Sequence, residues 1–315
     1  GTRDDAVLVP TLTFIAAVNP VKYIGAEPVF MDCDDSLCMD PKKLEKFCET
    51  ECDFVDGKLI DRATGRHVKT MVVVHVFGNM ADMEAILPIA KKYNIKVVED
   101  ATEALGTYYT DGPFKGRFAG TFGDVGAYSF NGNKIITTGG GGMIVSNDEE
   151  LLKKAKHLTT QAKADEVNFI HDEIGYNYRM TNLQAAMGLA QLEQLEGFIT
   201  VKERNYKAYK KALDGKKNMS IINFREGIRT NYWFYSICFK DDDGSRDALI
   251  KKLSDAKIQS RPIWGLISDQ LPYEGSRTFE LEKAPWFWKR VVNVPCSTNL
   301  SEEDCKRVIE EVLND

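Results

Sequence analysis

The chain has 315 residues, 47 acidic against 41 basic side chains for a net charge of −6, with 43% hydrophobic and 28% charged residues. This is the composition of a soluble globular protein, with length for two domains of ordinary size. It carries no basic stripe or arginine-rich helix, which argues against a nucleic-acid partner. Its apolar runs stop short of the ~18 residues of a membrane span, and no signal peptide is expected.

Seven cysteines, an odd number in a long chain without a secretion signal, read as free thiols in a reducing, cytoplasmic compartment. Cys33, Cys38, Cys48 and Cys52 cluster, but their spacing does not match the two close pairs that structural zinc favours, so no metal is expected. Gly1-Thr-Arg-Asp-Asp-Ala leads at once into Val7-Leu-Val-Pro, a buried-strand pattern. A domain rarely begins on an interior strand, and the expectation is a missing upstream segment.

In chain order, residues 7–9 predict a strand and residues 15–23 a helical pattern. Residues 28–31 predict a second strand, and 41–49 a helix that begins with Pro41, where the absent N–H does no harm. The polar stretch 53–69, with two glycine turns, reads as a surface hairpin. Residues 70–76 form a continuous apolar run, as in a strand covered on both faces. Asp82 caps a helix with Met83, Ile86, Leu87 and Ala90 at helical spacing, and 96–98 form a strand ending in Glu99-Asp100.

Strands at 125–130 and 143–145 flank the most distinctive stretch, Asn131-Gly-Asn-Lys134 followed by a β-branched run and Gly139–Gly142. Beyond it come a helix from Asp148 to about 157, an irregular polar segment 159–177, a helix 182–196, a break near Gly197, and a helix to about 213. After 220 the pattern predicts a strand at 232–239, a helix at 247–255, a short strand at 258–260, a loop carrying Trp286, Phe287 and Trp288, and a final helix 302–313. Strands alternating with helices indicate an α/β architecture with a mostly parallel sheet. The division is a large domain, 1–197, and a smaller C-terminal α/β domain, 198–315.

In such sheets ligands lie beyond the carboxyl ends of the strands, where Asp100 and the loop after His75 fall. A lysine held in a glycine-rich turn after a strand is not placed like a surface lysine; desolvated, its amine attacks carbonyls near neutral pH. Lys134 is therefore the candidate for a Schiff base with an aldehyde cofactor. Asp100 is the candidate for the carboxylate that keeps a pyridine nitrogen protonated.

Several motifs carry a resemblance: Glu99-Asp-Ala-Thr-Glu-Ala-Leu-Gly106, Gly123-Asp-Val-Gly-Ala-Tyr-Ser-Phe130, Asn133-Lys134, Gly139–Gly142, Val9-Pro-Thr-Leu-Thr-Phe14, His75-Val-Phe-Gly-Asn79, Gly175-Tyr-Asn-Tyr-Arg179 and Arg261-Pro-Ile-Trp264. In their order along the chain they resemble the fold-type I, pyridoxal 5′-phosphate-dependent nucleotide-sugar aminotransferases. The resemblance implies a three-layer sheet fold, pyridoxal 5′-phosphate on Lys134, and transfer of an amino group from glutamate to a nucleotide-linked 4-keto-6-deoxy sugar. Lys134 would move the proton at the donor's Cα. The resemblance further implies that Phe14 stacks on the cofactor ring, Asp100 meets the ring nitrogen and Ser129 binds the phosphate.

Asn177 would reach the phosphate of the neighbouring subunit in a homodimer with shared sites. Glu103 stands where the family often has glutamine beside the ring hydroxyl; an ionised acid would be repelled there, so Glu103 is either protonated or turned away. A helix-start turn that cradles the phosphate would belong to the missing upstream segment. The polar insertion and His75–Asn79 look most like the branch making bacillosamine or legionaminic-type sugars for surface glycans. Lys134 argues against the family's dehydratases, which carry histidine, and the lack of G-x-G-x-x-G after the first strand argues against a dinucleotide oxidoreductase. A non-catalytic regulator or scaffold on the same fold is the alternative.

Overall fold

The computed structural model describes residues 2–314; Gly1 and Asp315, the outer ends of the two expected domains, lie outside the described residues. Strand β1 (Asp5–Pro10), β2 (Glu27–Met31), β3 (Cys52–Val55), β4 (Lys58–Asp61), β5 (His67–Val74) and β6 (Lys96–Asp100) supply most of the main sheet. From one edge its order is Arg277–Phe279, β2, β1, β5, β6, Val125–Ser129 and Gly142–Val145. Neighbours run parallel except the last pair, and the β3–β4 hairpin joins antiparallel at the start of β5. This is the expected mostly parallel α/β sheet. Burial explains the continuous apolar runs: β1 is buried at every residue, and so is the second half of β5.

Helices Pro41–Thr50, Met83–Lys92 and Glu149–Thr159 begin at Asp40, Asp82 and Asp148, whose carboxylates accept first-turn N–H groups, as N-caps do. The C-terminal part builds an antiparallel sheet in the order Met219–Ile221, Tyr235–Phe239, Val291–Val294, Arg261–Pro262. It shares a second buried cluster with helices Leu195–Leu213, Ser245–Asp255 and Glu302–Leu313. All seven cysteines are free thiols. Among the described residues, no helix is long and apolar enough to cross a membrane.

Several boundaries differ from the sequence expectation. The helical pattern at 15–23 splits into a turn of 3₁₀ helix, Ile15–Ala17, and a short helix Asn19–Tyr23 with Pro20 in its first turn; proline has no N–H to continue an earlier helix. The run 70–76 stops pairing at Val74, because the chain turns through Phe77 (φ 59°) and Gly78 (φ 89°). The segment 159–177 contains a small hairpin, Lys163–Asp165 with Ile170–His171. The strand expected at 232–239 begins at Tyr235, since Tyr232 adopts φ 52°.

The break near Gly197 falls earlier, at Glu193–Gln194, and Gly197 lies inside helix Leu195–Leu213. A helical glycine costs only about 1 kcal/mol relative to alanine, which packing offsets. The short strand lies at Arg261–Pro262 rather than 258–260, where Ile258 is instead buried in the second cluster. Trp286, Phe287 and Trp288 end a short helix, Lys283–Trp288, rather than sitting in a loop. Its first N–H groups, those of Lys283 and Ala284, are accepted by the buried Asp32 at the end of β2.

Candidate active site

Because β1, β5, β6 and Val125–Ser129 run parallel, their carboxyl ends open on one side of the sheet. A cleft of about 1630 Å³ runs along one face of the sheet to those ends, from Thr70, Lys96 and Val125 to Asp100 and Ser129, and is larger than the ~300–1,000 Å³ of an ordinary small-ligand pocket. Five of the six residues singled out from sequence line it: Phe14, Asp100, Glu103, Ser129 and Lys134. The sixth, Asn177, is exposed and outside it, bridged through its backbone to Thr160.

Lys134 is held by local geometry. The chain leaves the strand at Ser129 and turns through Asn131-Gly-Asn133, closed by the Lys134 N–H on the Asn131 carbonyl at 3.0 Å. The side chain is only 12% exposed. Its Nζ lies 4.4 Å from the centre of the Trp233 ring and 3.9 Å from Glu103 Oε1. Trp233 is fixed in turn, its Nε1–H donating to the Asn133 carbonyl at 3.0 Å. Its backbone N–H donates to Asn231 Oδ1, while the Asn231 amide donates to the carbonyls of Glu103 and Leu105. Sequence reasoning placed Trp233 in a strand and did not assign it to the site; the aromatic run Tyr232-Trp-Phe was the available signal.

Asp100 ends β6, and its Oδ1 accepts the Thr102 N–H at 3.0 Å. Hydrogen bonding thus engages one oxygen through the backbone and leaves the carboxylate at the cleft. Glu103 is 3% exposed. One oxygen accepts the Phe77 N–H at 2.8 Å, which ties the loop after β5 to the lysine. Burial raises the Glu103 carboxyl to about 8, against the opposing pull of Lys134. The shift favours the protonated form, which can donate a hydrogen bond as a glutamine would.

Behind Asp100 lies a fully buried pair. Glu99 accepts from His75 Nε2 at 2.8 Å and from the N–H groups of Gly120, Phe122 and Gly123. His75 Nδ1 accepts the Ala81 N–H at 3.1 Å, so the ring proton sits on Nε2. Burial alone would raise the Glu99 carboxyl; His75 and the backbone donors outweigh it and hold it below its ordinary value. The glycines of the Gly123-Asp-Val-Gly126 motif allow this wrapping: a Cβ on Gly126 would stand 1.9 Å from the Gly120 carbonyl oxygen, and one on Gly123 2.6 Å from that of Val97. Phe14 is 53% exposed, so it is no core residue but an aromatic face offered to the cleft. Ser129 Oγ accepts the Asn131 N–H at 3.2 Å.

These groups fit pyridoxal 5′-phosphate by their chemistry: an enclosed primary amine, a carboxylate at a strand end, an exposed aromatic face and a buried acid whose protonated form is favoured. The profile of the DegT/DnrJ/EryC1/StrS aminotransferase family matches residues 1–313. The chain is 36% identical over 311 residues to the GDP-perosamine synthase of Escherichia coli O157:H7, covering 99% of this chain and 79% of that relative. It is 29% identical over 327 residues to the UDP-4-amino-4,6-dideoxy-N-acetyl-beta-L-altrosamine transaminase of Campylobacter jejuni subsp. jejuni serotype O:23/36 (strain 81-176), covering 100% and 80%. The crystal structure of a DegT DnrJ EryC1 StrS aminotransferase from Brucella abortus superposes with a TM-score of 0.86 at 28% identity, over 99% of this chain and 79% of that one. The chain belongs to the DegT/DnrJ/EryC1/StrS aminotransferase family.

Proposed function

We propose that the protein transfers an amino group, with glutamate as donor, to a nucleotide-linked 4-keto-6-deoxy sugar in the biosynthesis of surface-glycan amino sugars. The observation that carries this is the enclosure of Lys134 between Glu103 and Trp233 in a cleft shared with Asp100. Bound pyridoxal 5′-phosphate supplies an aldehyde for the amine and a pyridine ring that withdraws electrons from the substrate carbon. Lys134 would hold the cofactor through its amine and, once the donor amine has displaced it, the freed Nζ would take and return the proton at the donor's Cα. Asp100 would keep the ring nitrogen protonated. Phe14 would cover one face of the ring, and Ser129 would contribute to holding the phosphate. Protonated Glu103 would donate toward the ring hydroxyl without adding a second negative charge beside it.

The named relatives act on GDP- and UDP-linked sugars, which supports a sugar nucleotide and leaves both bases in play. The bacillosamine or legionaminic-type assignment rests on the resemblance alone. A homodimer with shared sites is part of the proposal: Asn177, outside its own cleft, lies on a face with exposed Ile174, Tyr176 and Tyr178, and reaches a partner's cofactor phosphate. The test is borohydride reduction of the protein incubated with pyridoxal 5′-phosphate, followed by peptide mapping. A pyridoxyl adduct on the Lys134 peptide is expected; an adduct elsewhere, or none, both in this chain and in one extended upstream overturns the assignment and favours a non-catalytic scaffold.

A further inference from the structure

The two walls of the cleft differ in charge. The wall built from residues 7–151 holds all of the cleft's acidic side chains, among them Asp100, Asp124 and Asp148. The wall from residues 191 onward carries none, in a chain with 47 acidic residues. It offers Arg261 with uncharged polar neighbours such as Gln259, Asn293 and Asn299.

Four cationic side chains line the cleft: Lys96, Lys134, Lys202 and Arg261. Lys96 pairs with Asp124 at 2.6 Å. Lys134 is the amine discussed above. Lys202 is buried and donates to the carbonyls of Trp233 and Cys296 at 3.0 and 2.5 Å. Arg261 has no side-chain hydrogen bond, ion pair or ring contact among the described residues, and it is exposed. Its backbone is nonetheless fixed, paired with Asn293 across the sheet and followed by Pro262, whose own backbone pairs with Val292.

A guanidinium carried on a fixed backbone, with its own donors unpaired and no acidic neighbour on its wall, suits an oxyanion, because its planar fork binds carboxylate or phosphate oxygens in pairs. We infer that Arg261 is the anchor for the oxyanion of a substrate entering this cleft, a role that rests on the aminotransferase reading above. The same chemistry serves the diphosphate of a sugar nucleotide or the carboxylate of the amino donor. Trp264, three residues on, lines the same cleft and packs on Phe77 with ring centres 4.7 Å apart, so the anchor and the loop that holds Glu103 are mechanically joined.

The experiment compares the cofactor-loaded wild type with Arg261→Gln and Arg261→Lys. GDP and UDP are titrated by calorimetry, and glutamate by the single-turnover change in cofactor absorbance. In Arg261→Gln the affinity for one probe class falls about 10- to 100-fold, the range for losing a charge-assisted pair, and Arg261→Lys recovers part of it. A loss confined to the nucleotides identifies the diphosphate as the ligand; a loss confined to glutamate identifies the donor carboxylate. Unchanged affinity for all three, loss of cofactor retention instead, or a wild type that binds none of the probes overturns the inference. Failure of the parent reading registers separately, as absence of the Lys134 adduct in the wild type, and the nucleotide titrations still report on Arg261.

Discussion

Glu103 Oε1 stands 3.9 Å from Lys134 Nζ, with the carboxyl buried and its second oxygen on the Phe77 N–H. Its acid is raised to about 8, chiefly by burial, which makes folding pH-dependent. Below about pH 4.5 the group is protonated in both folded and unfolded chains, and it costs nothing. As pH rises toward 8 the unfolded chain releases the proton while the folded one keeps it, so stability falls across that window and levels off above it. Glu103→Gln removes the dependence. Denaturation of the cofactor-free protein from pH 5 to 9 will show the variant gaining on the wild type by on the order of a few kcal/mol by pH 8.

Lys134→Ala tests the amine. Turnover of glutamate with a keto-sugar nucleotide falls about 10²- to 10⁴-fold, the contribution of a positioned proton-transfer group, and the borohydride adduct disappears from its peptide. Measurement of both in one preparation separates loss of chemistry from loss of fold.

Asp100→Asn preserves the carbonyl oxygen that accepts the Thr102 N–H and removes the charge. The fold is retained, and the rate falls about 10²- to 10³-fold, as for removal of an electrostatic partner of the reacting group. Circular dichroism and steady-state rates measure the two effects.

Gly126→Ala places a Cβ 1.9 Å from the Gly120 carbonyl oxygen, whereas Gly132→Ala meets nothing within 4 Å. The first substitution destabilises by about 1–3 kcal/mol or more through overpacking behind Asp100; the second is close to neutral. Thermal unfolding of the two variants side by side reads the contrast.

The parallel strands and the strand ends that line the cleft were legible in the sequence. Burial on both faces writes an uninterrupted apolar run such as Met71–Val74, and in the neighbouring parallel strands Asp100 is the last residue of one and Lys134 lies five residues beyond the end of the other. Arg277–Phe279 was not legible: three residues carry no periodicity, and they form a strand only because β2 offers an unpaired edge. Gly197 misled for the opposite reason, since packing along helix Leu195–Leu213 overrides the local preference of one residue.

The same division holds in the site. The amine on a tight turn and the carboxylate at a strand end are properties of neighbouring residues, so the chain's local order determines them. The enclosure of Lys134 by Trp233, the support of Trp233 by Asn231, the solitary position of Arg261 and the protonation of Glu103 belong to the tertiary structure. Each depends on burial and on partners brought from distant parts of the chain, and the desolvation that sets a carboxyl's charge is decided by those surroundings rather than by its neighbours in sequence.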